Sequence, residues 1–214
     1  MSETKRFDKA GALVDPDIEI EIKGAPHPYV SRGGLKLAHG LDHFGIDPSG
    51  RVCLDIGAST GGFTDVLLKR GAKKVYAVDV GRGQLAWELR NDPRVVVLEN
   101  TNARSLTREQ VPEPVDLVTC DASFISLEKV LPAPLALAAD GAVCVALIKP
   151  QFEVGKGKVG KKGVVRDAAL HKDVCARIGT WFEEQPGWRV LGLTESPILG
   201  PEGNKEFLIA AKRG

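Results

Sequence analysis

The stretch RVCLDIGASTGGFTDVLLKR, residues 51–70, decides the fold class. It opens with a short apolar strand pattern, turns at GASTGG and continues with helical spacing up to Gly71. The same rhythm recurs in KVYAVDV, RVVVLE, VDLVTCD and AVCVALI, with helical segments between them. Short Val-, Ile- and Leu-rich strands separated by helices are typical of a parallel sheet covered on both faces. The sequence therefore predicts a doubly wound α/β domain.

Other elements follow the same patterns. Helices are predicted at about residues 32–44, near QLAWELRN, at residues 127–139 and at residues 167–184, and WRVLGLTES and EFLIAAK predict the last two strands. Because ligands of doubly wound folds bind outside the C-terminal ends of the strands, functional residues are expected at that edge. Residues 1–28 differ: DIEIEIKG alternates like an exposed edge strand, and Pro26 and Pro28 indicate a linker.

Composition narrows the functional classes. The net charge of +1 does not by itself indicate a nucleic-acid partner, which must be argued from local features. The four cysteines include no CxxC pair, which predicts a reduced cytoplasmic setting without structural zinc. MSETKRFDKA is not a signal peptide, and the longest apolar stretch is interrupted by Pro132, Pro134 and Asp140-Gly141. No membrane segment is predicted.

The turn after the first strand predicts a nucleoside cofactor. Two alternatives are a purely structural tight turn and a dinucleotide-binding site. A dinucleotide site needs a second glycine two positions after Gly57, where this sequence has Ser59. Asp55 before the turn suits a cation better than a pyrophosphate. Asp79 follows Gly57 by 22 positions, near the offset at which an acid binds ribose hydroxyls. S-adenosylmethionine, which carries an ammonium and a sulfonium but no phosphate, is favoured.

Charged residues stand at two strand ends. VDLVTC is followed by Asp121, and VALI is followed by Lys149. Either residue alone is best interpreted as a solvated strand terminus, but two on neighbouring strands favour a shared site. Glu206 opens the last strand, and Lys36 lies on the first helix.

These motifs together resemble a known family. SRGGLKL, LDIGASTGGFT, VDVGRGQL, RNDPRV, CDASFISL, IKPQFEVGKG and GPEGNKEF are similar, in this order, to the TlyA (haemolysin A) family of FtsJ-like 2′-O-ribose methyltransferases. The similarity runs from Tyr29 onward. It implies a Rossmann-like methyltransferase domain at residues 29–214, with a mostly parallel sheet and an antiparallel last strand. It also implies S-adenosylmethionine as cofactor and ribosomal RNA or ribosomal subunits as partner, with methylation at cytidine riboses.

The resemblance assigns roles to individual residues. It implies a catalytic tetrad of Lys36, Asp121, Lys149 and Glu206. It implies cofactor binding by Asp55, Gly57, Ser59, Thr60, Gly61, Gly62, Phe63, Asp79, Val80, Asn102 and Asp121. Residues 1–28 resemble only the last strands of the RNA-binding module that precedes the catalytic domain in longer relatives.

Two roles for Lys149 stay open. A ribose hydroxyl reacts only when its proton leaves or its developing negative charge is stabilised. Lys149 is the candidate base if it is uncharged, which a nearby Lys36 would favour and Asp121 and Glu206 would oppose. A charged Lys149 would instead stabilise the alkoxide electrostatically.

Other chemistries are less favoured. His39 and His43 lie one helical turn apart, but no third zinc ligand is evident. Cys120 could be a nucleophile toward a base carbon, but it should face away from Asp121 because side chains alternate along a strand. Asp121-Ala-Ser-Phe lacks the prolines that amine methyltransferases often carry there.

A lysine-rich loop is the local feature that points to RNA. Either a solvated loop or a mobile flap that binds phosphates fits this pattern. The RNA-binding candidates are Arg32, Lys156, Lys158, Lys161, Lys162 and Arg166. Three classes of function therefore remain: a ribose methyltransferase, an RNA- or ribosome-binding protein with little turnover, and a membrane-active haemolysin.

Overall fold

The computed structural model describes residues 27–214. The predicted edge strand in residues 1–26, and with it the interpretation of that segment as an RNA-binding remnant, lies outside the described residues. In the described part, seven strands form one sheet in the order β3-β2-β1-β4-β5-β7-β6. They are β1 (Val52–Ile56), β2 (Lys74–Val78), β3 (Val95–Leu98), β4 (Val115–Cys120), β5 (Ala138–Ile148), β6 (Trp188–Glu195) and β7 (Phe207–Arg213).

The sheet is mixed. The pairs β1–β2, β2–β3, β1–β4 and β4–β5 are parallel, whereas β7 is antiparallel to both β5 and β6. The predicted α/β class with an antiparallel last strand is confirmed. All five residues of β1 are buried, which is why this strand reads as a continuous apolar run around one aspartate.

Helices cover both faces. They are α1 (Gly33–Phe44), α2 (Gly62–Lys69), α3 (Trp87–Arg90), α4 (Leu127–Val130), α5 (Pro132–Ala136), α6 (Pro150–Glu153) and α7 (Ala168–Glu184). Leu37 and Leu41 of α1 pack with Leu67 of α2 in one core, and Ile178 and Phe182 of α7 pack in the core on the opposite face. None of the helices in residues 27–214 combines the length and apolar character that crossing a bilayer requires.

Two helix predictions were wrong in extent. The helix expected at residues 127–139 is two short helices, and β5 already begins at Ala138. Pro132 lacks the N–H that would continue α4, so the chain restarts as α5 with this proline at its first position. The helix near QLAWELRN is a single turn, α3, which ends before Asp92-Pro93.

The topology gathers four chain segments at one edge. The residues after β1, β4 and β5 lie there because these strands are parallel. Because β7 runs the other way, the residue that precedes it comes to the same edge. Gly57, Asp121, Lys149 and Glu206 occupy these four positions.

Candidate active site

A cavity of about 450 Å³ opens at this edge of the sheet. Its walls come from the ends of β1, β2 and β4 and from the loop after β3, as expected for a doubly wound fold. The described residues that line it include Gly57, Ser59, Asp79, Val80, Gly81, Gln84, Thr101, Asn102, Asp121, Ala122, Ser123 and Phe124. It thus contains six of the predicted cofactor-binding residues: Gly57, Ser59, Asp79, Val80, Asn102 and Asp121.

Gly57 lets two loops touch. Its φ is 79°, in the region that favours glycine, and its N–H donates to the Val78 carbonyl at 2.9 Å. A Cβ at this position would lie 3.0 Å from the backbone N and Cα of Ala122. The turn after β1 therefore packs backbone to backbone against the loop after β4, and any side chain would push them apart.

Asp79 is fixed by the backbone. One carboxylate oxygen accepts a hydrogen bond from the Ser59 N–H at 2.8 Å, and the other accepts one from the Gly81 N–H at 2.7 Å. Ser59 adopts a φ of 48°, which is unusual for a residue other than glycine and turns its N–H toward Asp79. The carboxylate is therefore already oriented at the cavity wall, where it can accept further hydrogen bonds from ribose hydroxyls.

The charge of the lining fits S-adenosylmethionine. Two carboxylates, Asp79 and Asp121, line the cavity, and no lysine or arginine is among the described lining residues. Such a wall attracts the ammonium and sulfonium of this cofactor and disfavours a pyrophosphate. The predicted preference over a dinucleotide therefore has a structural basis.

Five of the predicted cofactor-binding residues, Asp55, Thr60, Gly61, Gly62 and Phe63, are not among the residues that line the cavity. Asp55 is fully buried and accepts hydrogen bonds from the hydroxyls of Thr64 at 2.7 Å and Thr119 at 3.0 Å. Because side chains alternate along β1, it points toward α2 and not into the cavity. Gly61, Gly62 and Phe63 are buried at the start of α2, and Thr60 is exposed. These residues shape the turn, but they are not in the lining.

Burial changes the titration of Asp55. Loss of hydration raises the pKa of this carboxyl to about 6, against the effect of the two threonine hydroxyls, and nearby Asp121 adds to the increase. Asp55 is therefore a structural carboxyl that connects β1 to β4 and α2, and its charge state changes in mildly acidic solution.

Lys149 and Asp121 form an ion pair beside the cavity. The Lys149 Nζ lies 2.6 Å from an Asp121 carboxylate oxygen. It also donates hydrogen bonds to the Ser123 hydroxyl at 2.8 Å and to the Asp121 carbonyl at 3.1 Å. The lysine side chain is only 8% exposed. Three acceptors thus surround the amine, matching the three hydrogens of an ammonium.

Lys36 and Glu206 form a second, more deeply buried pair. Their Nζ and carboxylate oxygen lie 2.6 Å apart, with side chains 7% and 0% exposed. The other Glu206 oxygen has no hydrogen-bond partner in the described part of the chain. Gly200 packs against this carboxylate so closely that a Cβ there would lie 2.2 Å from that oxygen. Glycine at position 200 leaves the room that Glu206 needs.

The two pairs are adjacent. Ile148 and Phe207 are register partners on β5 and β7, so Lys149 and Glu206 occupy neighbouring places at the sheet edge. The start of α1 also lies close to this edge, since a Cβ on Gly33 would lie 3.8 Å from an Asp121 carboxylate oxygen. All four residues of the predicted tetrad are thus brought together.

Several residues of this site were not predicted. Ser123 binds Lys149, Gln84 lines the cavity, and Gly200 makes room for Glu206. Ser123 and Gln84 belong to the quoted motifs CDASFISL and VDVGRGQL, but the presence of a polar residue near a strand end does not reveal which groups it contacts. Gly200 opens the quoted motif GPEGNKEF, but the motif does not show its role, which depends on Glu206 six positions later.

The alternative chemistries find little support in the geometry. Cys120 is buried in the core, and burial raises the pKa of its thiol to about 12, so it is a poor nucleophile. The His39 Nε2 lies 3.4 Å from the Thr194 hydroxyl. Among residues 27–214, no group of three or more His, Cys, Asp or Glu side chains could hold a metal ion.

Comparison with known proteins decides the family. The family model described as FtsJ-like methyltransferase matches residues 29–213. The chain belongs to the FtsJ-like methyltransferase family. Its methyl donor is therefore S-adenosylmethionine, as predicted, and the resemblance found in the sequence motifs is confirmed.

Individual relatives agree with this assignment. The chain is similar to the 16S/23S rRNA (cytidine-2′-O)-methyltransferase TlyA of Mycobacterium tuberculosis, with 52% identity over 94% of this chain and 74% of that protein. It is 42% identical to the 23S rRNA (cytidine-2′-O)-methyltransferase TlyA of Campylobacter jejuni, over 84% of this chain and 69% of that protein. A solved structure described as a hemolysin, from Streptococcus thermophilus, superposes with a TM-score of 0.85 and 45% identity, covering 89% of this chain and 69% of that one.

Substitution of Gly57 should weaken cofactor binding. Gly57→Ala places a methyl group against the Ala122 backbone, so we expect the Kd for S-adenosylhomocysteine, measured by calorimetry, to rise at least tenfold. Gly141→Ala is the matched control, because Gly141 has the same φ of 79° but open space around it. It should lose about 1 kcal/mol of stability with an unchanged Kd. Equal Kd values for the two variants would contradict the close-contact explanation.

The raised pKa of Asp55 should shape the pH dependence of stability. The folded state favours the protonated carboxyl, so the contribution of Asp55 to stability is greatest below about pH 4, falls as the pH rises from there to about 6 and then levels off. In Asp55→Asn this contribution is absent. From pH 4 to 7 we expect its free energy of unfolding, from urea titrations, to gain about 3 kcal/mol relative to the wild type. A constant difference would show that Asp55 does not titrate in this range.

Proposed function

We propose that this FtsJ-like methyltransferase transfers the methyl group of S-adenosylmethionine to the 2′-hydroxyl of a cytidine ribose in ribosomal RNA, in the cytoplasm. The observation that carries the proposal is the adjacency of two buried ion pairs, Lys149–Asp121 and Lys36–Glu206, at the end of the cofactor cavity. Asp121 belongs both to the cavity lining and to the first pair, so a methyl donor bound in the cavity would lie near Lys149.

The contacts of Lys149 favour an electrostatic role. Bound S-adenosylmethionine supplies a methyl group activated by a sulfonium. The chain must orient the ribose hydroxyl and stabilise the negative charge that develops on its oxygen. The Lys149 amine donates hydrogen bonds to the Asp121 carbonyl and the Ser123 hydroxyl, and an Asp121 carboxylate oxygen lies 2.6 Å away, so its surroundings suit an ammonium group. It is therefore better suited to stabilise the negative charge that develops on the ribose oxygen than to take the hydroxyl proton, which would pass to solvent as the O–CH₃ bond forms and the S–CH₃ bond breaks.

The second pair completes the polar environment. A buried lysine beside a buried glutamate keeps the net charge of the site near zero, which a second lysine alone would not allow. The other Glu206 oxygen, enclosed against Gly200, has no hydrogen-bond partner among the described residues, so the polar capacity of this carboxylate is not fully used. Lys36 and Glu206 would thus position the ribose while Lys149 stabilises the developing charge.

The names of relatives support the RNA substrate. The M. tuberculosis and C. jejuni proteins are both named as rRNA (cytidine-2′-O)-methyltransferases. An aromatic surface at the cavity mouth suits an unstacked base: Phe124 is 89% exposed, and its ring lies 4.9 Å from that of Phe152. We propose that the substrate is rRNA, within a ribosomal subunit or free.

The lysine-rich loop would bind the RNA backbone. It contains short 3-10 turns at Lys156–Lys158 and Lys161–Gly163. The side chains of Lys158, Lys162, Arg166 and Arg32 are exposed. Exposed cations beside an acidic cavity would attract the phosphates while leaving the cofactor site to the cationic ligand.

The two other functional classes are not favoured. A pure binding protein would not need two lysine–carboxylate pairs with buried lysines, which are costly to desolvate, whereas a methyltransferase would use them. For the haemolysin class, no described helix has the character of a membrane span.

Loss of Lys149 should abolish methyl transfer. We expect Lys149→Met to retain cofactor affinity within about threefold but to lose at least 100-fold in rate, because the developing oxyanion loses its stabilising charge. The assay uses radiolabelled S-adenosylmethionine and ribosomal subunits from cells that lack the protein, followed by digestion to nucleosides. Label should appear in 2′-O-methylcytidine.

The matched control is Lys205→Met, an exposed lysine paired with Glu195, which should keep full activity. Wild-type turnover by Lys149→Met would refute the assignment of this lysine. Label on a base would refute the ribose target, and cofactor binding without label in either subunit would refute the proposed rRNA substrate.

The loop lysines should set the salt dependence of RNA binding. Lys→Gln at positions 156, 158, 161 and 162 should weaken RNA binding and reduce the slope of log K against log salt by roughly 0.7–0.9 per lost phosphate contact. The control removes Lys73, Arg189 and Lys212, three exposed cations at the opposite edge of the sheet, and should leave the slope unchanged. An unchanged slope in the loop variant would identify the loop as merely solvated.

A further inference from the structure

Glu153 is a buried carboxylate near the site that the proposed reaction does not use. It lies on α6, one helical turn after Lys149, and its side chain is only 1% exposed. A buried carboxylate needs several donors to offset its lost hydration. The identity of these donors shows what Glu153 holds together.

The donors come from two other parts of the fold. From the loop after β4, the Leu127 N–H and the Ser126 hydroxyl each donate to Glu153 at 2.8 Å. From α7, the Arg177 guanidinium donates to the Glu153 carboxylate at 3.1 Å and to its carbonyl at 3.0 Å. Glu153 thus joins the segment after β5 to the segment after β4.

That second segment carries half of the site. Asp121 and Ser123, which hold the Lys149 amine, stand at its start, and Ser126 and Leu127 stand at its end. Its first residue is tied to β1 by the Asp121 N–H, which donates to the Ile56 carbonyl at 2.9 Å. No backbone–backbone hydrogen bond was found for the residues from Ala122 to Ile125. The far end is held where Ser126 caps α4 and Leu127 is buried in the core, and the bonds of these two residues to Glu153 connect it to α6.

The same α6 turn carries Lys149. The Phe152 N–H donates to the Lys149 carbonyl and the Val154 N–H to the Pro150 carbonyl, both at 2.9 Å. Lys149 and Glu153 are therefore joined by one short, proline-initiated turn. Each contacts the loop after β4, Lys149 near its start and Glu153 at its end.

We propose that Glu153 is a positioning residue for methyl transfer: it fixes the Asp121–Leu127 loop against α6, and so holds Asp121 and Ser123 on the Lys149 amine. This inference rests on the proposed function, because it takes Lys149 and Asp121 to be the reacting pair. Glu153 itself touches neither the cavity nor the reacting groups.

The decisive variant is Glu153→Gln, which keeps the shape of the side chain. Its amide replaces one acceptor oxygen by an NH₂ group, which faces donors and breaks at least one of the bonds to Ser126, Leu127 or Arg177. Glu128→Gln is the matched control, because Glu128 is the other carboxylate of Arg177 and is partly exposed. It removes an ion pair of the same arginine without touching the loop contacts.

Two measurements separate positioning from stability. In single-turnover methylation at saturating RNA and cofactor, we expect Glu153→Gln to lose at least tenfold in rate, Glu153→Asp to regain part of it, and Glu128→Gln to match the wild type. In ¹³C-lysine NMR spectra, assigned with Lys149→Met, the Lys149 signal should shift in Glu153→Gln and stay in place in Glu128→Gln.

A double-mutant cycle tests the route of the effect. If Glu153 acts through the loop, Ser123→Ala and Glu153→Gln should be non-additive in rate. The inference is overturned if Glu153→Gln keeps the wild-type rate and Lys149 signal. It is also overturned if Glu128→Gln loses as much rate as Glu153→Gln, or if a lower Tm accounts for the whole loss of rate in Glu153→Gln. If the wild type transfers no methyl group to RNA, the proposed function fails, whereas the NMR comparison still decides whether Glu153 positions Lys149.

Discussion

The cost of burying lysine ammonium groups shapes this site more than any other constraint. An amine removed from water is tolerated only where a carboxylate and further acceptors replace its hydration. Lys149 and Lys36 are both less than a tenth exposed, and each has a carboxylate oxygen at 2.6 Å. To meet that requirement, α1, the ends of β4 and β5 and the start of β7 come together at one place. Each of them supplies one residue of the two ion pairs. The proposed catalytic arrangement and the local fold thus rest on the same set of interactions.

Much of this could be predicted from the sequence for physical reasons. Apolar strands fully buried between helices leave an unmistakable pattern, as in VCLDI and AVCVALI, and parallel strands bring their ends to one edge. Asp121 and Lys149 interrupt apolar runs at that edge, so their meeting followed from the topology. Glu206 and Lys36 required the family resemblance, since neither follows a parallel strand.

The structure differs from the expectations where a contact depends on the direction in which a side chain points and not on its position along the chain. Asp55 adjoins the cofactor turn in sequence, yet the alternation of β1 directs it to Thr64 and Thr119. The sequence pattern at residues 127–139 is apolar enough for one helix, but Pro132 and the pairing of Ala138 with Val115 divide it. Likewise, which lysine would pair with which acid could be learned only from the three-dimensional arrangement.

The reversed direction of β7 has a practical consequence for handling the protein. This strand starts beside the tetrad at Glu206 and runs through Phe207–Arg213 to the opposite edge of the sheet. Seven residues at about 3.4 Å each place its far end more than roughly 20 Å from the reacting groups. The last residue, Gly214, is held there by a hydrogen bond from its N–H to the Gly187 carbonyl. A purification handle or surface tether joined at that end would leave the mouth of the cavity open to a large substrate.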